Sequence, residues 1–297
     1  FWIVMDQSMN EIDTLHCSGD LTPDYHDIQL VDGGGYILQS YHDSYIDMSQ
    51  YIPNGHANAL VKSELVIQEF DSDDNLIFEW YAHEHLNIAD YSNLNIFLPE
   101  FTWMHGNSIE IDFDDNLILS NRRSDEAIKI NRNTGEVIWI LGGPASDFDF
   151  LNDIYNGFSK QHDIRRLENG NLLVFDNGTN HVPQLSRIVE YELDMENMTA
   201  DVIWEYSHPN EYVGLSMGSV QRLDNGNTLI NWGNVEGYGA ILTEVNTEKE
   251  IVMEIIFTEG FKIYKARKFD WYFNVDMTIA DLNLDFEINI IDILLMV

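Results

Sequence analysis

Three of the ten histidines in this 297-residue chain, His26, His105 and His162, open segments that repeat one pattern. Neutral imidazole attacks electrophilic centres, exchanges protons near pH 7 and ligates metals, so three brought to one place would make a reactive centre. The fourth copy of the pattern has Gly218 at the equivalent position, so the segment does not need histidine in order to fold. Arg122 and Arg123 lie side by side at the end of the strand that follows His105, and a guanidinium offers a planar fork of donors to sulfate or phosphate oxygens. Each reading has a plainer rival. Histidines can brace strands through backbone bonds, and arginines can pair with neighbouring carboxylates. Asp27 and Asp163 directly follow their histidines, but strand alternation sends adjacent side chains to opposite faces, which points to packing rather than a His/Asp dyad.

A second constellation sits in the tail. Asp281, Asn283, Asp285, Asn289 and Asp292 fall at positions 1, 3, 5, 9 and 12 of a calcium loop, with Glu287 at position 7 offering its carbonyl. These are hard oxygen donors suited to one Ca2+ ion. Position 6 is Phe286 instead of the usual Gly, and position 12 is Asp instead of Glu. The loop resembles half of a dockerin-like repeat, which implies a tail that docks to another protein or anchor. The rival reading is an acidic surface loop.

The elements that must position these residues are β-strands. Segments 26–38 (HDIQLVDGGGYIL), 162–174 (HDIRRLENGNLLV) and 218–230 (GSVQRLDNGNTLI) each read as an apolar-alternating run, an Asn/Asp/Gly turn and a second apolar run. That is the signature of a β-hairpin. Segment 105–119 (HGNSIEIDFDDNLIL) is a fourth copy with two extra residues before its turn. After each hairpin come a third run and a fourth, the latter being LIFEWY, EVIWIL, DVIWEY and IVMEIIF in turn. Four strands per unit, repeated, make a propeller blade. The last three copies are almost evenly spaced, and the first carries an insertion expected around Asp47 to Ala59. Residues 1–16 read as the last two strands of an earlier blade, and 264–269 (YKARKF) as one strand after the last full blade. The expected fold is an all-β, six-bladed propeller of four-stranded blades with its first blade largely missing. It spans residues 1–271, and residues 272–297 form a linker and the partial calcium repeat.

Composition bounds the function. Hydrophobic residues make up 44% of the chain, ample for a sizeable core. Fifty-one acidic residues against fifteen basic ones give a net charge of −36, a field that repels nucleic acid and anionic membrane. An anionic substrate would need the few cations gathered at its site. Cys17 is the single cysteine, so no intramolecular disulfide forms and no zinc-type spacing exists. No apolar run approaches the roughly 18 residues of a membrane span. The chain reads as an excerpt lacking its true start, where a signal peptide would sit.

The runs WMHGNSIEIDFDDNLILSNRRSDEAIKINRNTGEVIWILGG, FSKQHDIRRLENGNLLVFDNG, SRIVEYELD and GSVQRLDNGNTLINWG resemble the bacterial arylsulfotransferases, over about Phe1 to Trp271. The resemblance implies a secreted or periplasmic enzyme that moves a sulfuryl group from an aryl sulfate to a phenol, without a nucleotide donor or catalytic cofactor. It also implies a transiently sulfurylated histidine. The family's HD histidine falls on His26, its HxNS histidine on His105, its QH histidine, the nucleophile, on His162, and its active-site arginine on Arg122. Asn107 of the HxNS motif and Arg123 are the implied substrate-binding residues. Arg123 stands where the family commonly has histidine, a departure that bears on acceptor preference. Two other classes fit the residues less fully: a non-catalytic propeller binding an anionic or carbohydrate ligand or a protein, and a metal-dependent hydrolase at the three histidines.

Overall fold

The structure, a computed structural model, describes residues 1–6, 8–91 and 94–270, so the expected calcium ligands Asp281 to Asp292 lie outside the described residues. The fold is nearly all β, built from antiparallel sheets met in chain order. The hairpin Trp2–Met5 and Glu11–Leu15 comes first. The second sheet runs Pro23–Val31, Gly35–Ile46, Ala59–Phe70, Leu76–Tyr81, with Glu100–Thr102 added in parallel beside Ala59–Phe70. The third runs Gly106–Ile111, Leu117–Asn121, Glu126–Ile130, Val137–Gly142. The fourth runs His162–Arg166, Leu172–Asp176, Arg187–Asp194, Thr199–Tyr206, with Asp149–Leu151 parallel to its last strand. The fifth runs Ser219–Arg222, Thr228–Asn231, Ile241–Val245, Ile251–Ile256. This layout is consistent with a propeller.

Packing follows the same order. One apolar core lies between the second and third sheets around Trp80, Trp103 and Ile128, and another between the third and fourth around Trp139, Phe158 and Tyr191. A third joins the fourth and fifth around Phe175 and Trp232. Because each sheet is covered on both faces, middle strands such as Leu117–Asn121 are buried at every residue, whereas the outer strand Ile251–Ile256 alternates with solvent. The hairpin turns need left-handed backbone: Gly170 and Gly226 have φ of 90° and 86°, and Asp115 fills the matching position with φ 62°.

Two expectations need correction. The insertion after the first copy is in two parts. One is the lengthened hairpin around Met48–Gln50, and the other is the connection from Tyr81 to Glu100, which carries the short helix Ala82–His85. Residues 264–269 form no strand. Their backbone is held by side chains instead of a ladder, with Ala266 N–H donating to Ser219 Oγ and Lys268 N–H to Gln221 Oε1. No helix among the described residues is long and apolar enough to cross a membrane.

Candidate functional site

The first strands of the four full sheets are stitched together by one recurring bond. Asp27 Oδ2 accepts Ile109 N–H at 2.9 Å, Ser108 Oγ accepts Ile164 N–H at 3.1 Å, and Asp163 Oδ2 accepts Val220 N–H at 2.8 Å. Ser219 Oγ then accepts Ala266 N–H at 2.9 Å. Each sheet thus passes one acceptor to the next, which is the packing role expected for Asp27 and Asp163. The pattern also aligns Ser108 with Asp163, so the two extra residues of the third sheet are Gly106 and Asn107, a bulge that follows His105.

Below the histidines an ion network crosses the same strands. Arg165 bonds Asp27, Asp163 and Glu110, while Lys265 reaches Asp27 at 2.7 Å and Arg267 reaches Asp163 at 2.6 Å. Burial alone would raise the Asp163 carboxyl, but Arg267, Arg165 and Lys265 together hold it well below the usual range.

His26 and His162 both pack against Tyr264, and His105 packs against His26. The ring of His26 is 4.7 Å from that of His105 and 5.1 Å from that of Tyr264, and the His162 ring is 6.2 Å from Tyr264. By the stitching register, Tyr264 stands two residues before Ala266, as His162 stands two before Ile164. Tyr264 therefore occupies the histidine position of the next unit. Burial, then the nearby carboxylates, raises its pKa well above normal, so it is a neutral phenol, with its hydroxyl 3.4 Å from the Asn107 carbonyl. The sequence pattern gave no signal for it, because tyrosine replaces the marker residue.

Each histidine has its own support. His162 Nδ1 lies 2.6 Å from Asn177 Oδ1, and Asn177 Nδ2 donates to the carbonyls of Gly214 and Met217. Those carbonyls can only accept, so the amide NH2 must face them and its oxygen must face the ring. His162 therefore donates from Nδ1 and keeps the Nε2 lone pair. Burial pushes its pKa down to about 3; Arg122, His105 and His26 add to that and outweigh the Asn177 bond. His26 Nδ1 lies 2.5 Å from Asp24 Oδ1, which also accepts from the His26 N–H and from Gln39. The carboxylate partner of His26 is thus the residue two before it. Tyr25, exposed, stacks on the His26 ring at 4.4 Å.

His105 is half-buried, and burial, then His26 and Arg122, lowers its pKa to about 4. Its backbone N–H donates to Asn121 Oδ1 at 2.8 Å, while Asn121 Nδ2 donates to Glu126 Oε1 at 2.7 Å. Asn121 Oδ1 also accepts the Arg123 N–H, so one amide sets two expected site residues. Asn107 is fully buried: its Nδ2 donates to the Gln161 carbonyl beside His162, and its Oδ1 has no partner among the described residues.

Arg122 N–H donates to the His105 carbonyl at 2.9 Å, which ties the arginine to the histidine cluster. Its Nη2 reaches the Leu215 carbonyl, and its buried Nε has no partner among the described residues. Burial lowers its pKa, yet a guanidinium stays charged. No carboxylate among the described residues forms an ion pair with Arg122 or Arg123, although most other cations of this acidic chain have one. Among the described residues no group of three or more His, Cys, Asp or Glu side chains is arranged to hold a metal ion.

Among solved structures, the chain is similar to hydrazine synthase of Kuenenia stuttgartiensis, at 12% identity and TM-score 0.47 over 86% of this chain and 55% of that one. It is also similar to virginiamycin B lyase of Staphylococcus aureus, at 11% identity and TM-score 0.39 over 78% and 55%. Likeness of that degree says nothing about what this chain does. In sequence it is 29% identical to arylsulfate sulfotransferase AssT of Escherichia coli, over 38% of this chain and 24% of that protein. The chain therefore spans about a quarter of the length of the curated relative it matches. Residues 1–265, which hold His26, His105, His162, Arg122 and Arg123, match the family described as arylsulfotransferase (ASST), and the chain belongs to that family.

Proposed function

We propose that this chain carries the catalytic centre of a sulfotransferase that moves a sulfuryl group from an aryl sulfate ester to a phenolic acceptor through His162, with no nucleotide sulfate donor. The observation that carries the reading is His162 itself, buried, neutral and held by Asn177 in the Nδ1–H tautomer, in one cluster with a guanidinium that has no carboxylate partner among the described residues. The His162 Nε2 lone pair attacks sulfur, the sulfur–oxygen bond to the ring breaks, and its electron pair leaves on the phenolate oxygen. Asn177 Oδ1 then faces a positively charged ring, which it stabilises as acceptor of Nδ1–H. Arg122 and His105 hold the non-bridging oxygens, and Asn107 braces the strand start beside His162. His26, bonded to Asp24, exchanges the phenolic proton. In the second step the acceptor oxygen attacks the sulfohistidine, so transfer is ping-pong.

Four full sheets, each sharing an apolar core with the next, support the reading of a six-bladed ring. The first hairpin and residues 263–268 would belong to the two adjoining blades.

The test is mass spectrometry of the protein after brief mixing with 4-nitrophenyl sulfate. A labile adduct of one sulfuryl group, removed by added phenol, is expected. Nitrophenol release without any adduct would overturn the covalent route, and neither release nor adduct would favour a ligand-binding module.

A further inference from the structure

A cleft of about 310 Å3, lined by Leu94, Arg122, Arg123, Asp125, Lys160 and Asn180, meets the histidine cluster at Arg122. Arg122 joins the two, since its backbone is bonded to the His105 carbonyl while its side chain lines the cleft. Three of the six lining residues are cations, in a chain of net charge −36. The one lining carboxylate among the described residues, Asp125, is already engaged: it accepts the Lys160 N–H at 2.6 Å and lies 3.3 Å from Lys160 Nζ. Lys160 Nζ also donates to the Arg123 carbonyl at 3.0 Å, which holds the two residues together. Arg123 is exposed; its Nε donates to the Thr102 carbonyl at 2.7 Å, which orients the guanidinium, while its two NH2 groups have no partner among the described residues. A guanidinium oriented in this way offers its open donors to a carboxylate or sulfate.

We propose that this cleft is an anion subsite for the far end of the acceptor, so that the enzyme prefers phenols bearing a second, anionic group over neutral phenols. The proposal rests on the sulfotransferase reading above. A cleft of this size holds one substituted ring, at the lower end of small-molecule sites. With the phenolic oxygen at the histidines, an opposite carboxylate would meet Arg123 and Lys160. The preference runs against the overall field of the protein, which repels anions, so only a local cluster of cations could produce it.

The experiment fixes the donor as 4-nitrophenyl sulfate and compares two acceptors of the same shape, 4-hydroxybenzoate and the neutral 4-hydroxybenzamide. At low salt kcat/KM for the benzoate is expected to exceed that for the amide by about tenfold, the size of one charge-assisted hydrogen bond. Lys160→Gln and Arg123→Gln should each reduce that ratio through KM for the benzoate, and Arg123→Lys should restore part of it. Salt at about 0.5 M should shrink the ratio, since the cleft is open to solvent. A wild-type ratio near one, or a ratio that neither substitution changes, would overturn the subsite while leaving sulfuryl transfer standing. Transfer to neither acceptor would instead count against the sulfotransferase reading.

Discussion

His162 gives its Nδ1 proton to Asn177 Oδ1 across 2.6 Å, and Asn177 is itself locked by two backbone carbonyls. The amide sets the tautomer of a buried histidine without lending it charge, so the ring stays neutral and its Nε2 stays free. Asn177→Ala should slow formation of the adduct by roughly 10²-fold, the scale on which misplacing a reacting group acts, with a smaller effect on donor KM. Stopped-flow release of nitrophenol in the first turnover reads this directly. A change confined to KM would mean that Asn177 shapes binding and not attack.

The lowered pKa values of His162 and His105, about 3 and 4, set the pH behaviour. Attack needs the neutral ring, and a depressed pKa keeps that form present to lower pH. The first-turnover rate should therefore hold from pH 8 to about pH 5, well below the usual histidine midpoint near 6.5. The same depression costs stability in acid. An unfolded histidine takes up a proton near pH 6.5 while the folded one does not, so stability is full above that pH and falls toward pH 4, by up to about 1.4 kcal/mol per pH unit for each histidine. Thermal melts of wild type and His162→Gln across this range should show a shallower acid slope in the variant. Parallel slopes would show that His162 already protonates in the fold.

Stitch residues differ in what they hold. Ser108 gives one neutral bond to Ile164, whereas Asp163 bonds Val220 and also anchors Arg165 and Arg267. Ser108→Ala should cost about 1 kcal/mol. Asp163→Asn should cost more, about 3 kcal/mol, because it takes the carboxylate partner from the half-buried Arg267 and one of three from Arg165, which keeps Asp27 and Glu110. Urea unfolding of the two variants checks the order, and equal losses would show that the ion network adds nothing to the stitch.

Much of this architecture was legible in the repeats. The turns at Gly170 and Gly226 and the alternating runs gave four full sheets, because both signals are local in sequence. His26, His105 and His162 could be singled out because they mark equivalent strand starts. Asn177, Asp24 and Asn121 were not legible, since their roles depend on a bulge or on a contact across the sheet. Tyr264 was hidden for another reason: its segment was read as a strand, but tyrosine stands where the other units carry histidine, so nothing marked it as a site residue. Alternation pointed to packing for Asp163, and it does bond Val220 of the next sheet, but its backbone sits at φ 55° within a register shift, so alternation is not the reason.

Glu126 tests the support beneath His105. It is fully buried, and burial raises its pKa to about 8, above the help it receives from Asn121. The folded protein keeps a proton that the unfolded chain releases near pH 4.5, so this group's contribution falls as pH rises from 4.5 to 8. Glu126→Gln keeps an acceptor for Asn121 and removes the ionisable group, so it should stabilise the protein by on the order of 2 kcal/mol at pH 8 and hardly at all at pH 4. Melting curves at the two pH values decide it. Equal gains at both would mean that the carboxyl ionises in the fold.

The strongest test of the roles is a comparison of three variants by transfer rate and by adduct. His162→Ala should abolish both, because no other residue is proposed to bond to sulfur. His105→Ala should slow transfer by about 10²–10³-fold, the usual effect of losing one donor to a developing anion, and leave the adduct detectable. Arg122→Lys should fall between wild type and His105→Ala in the second step, since lysine keeps the charge but loses the two-pronged geometry. Near-native melting curves for all three would tie the losses to chemistry. An adduct that persists without His162 and vanishes without His105 would move the nucleophile to His105, whose ring is also neutral and lies 4.7 Å from that of His26.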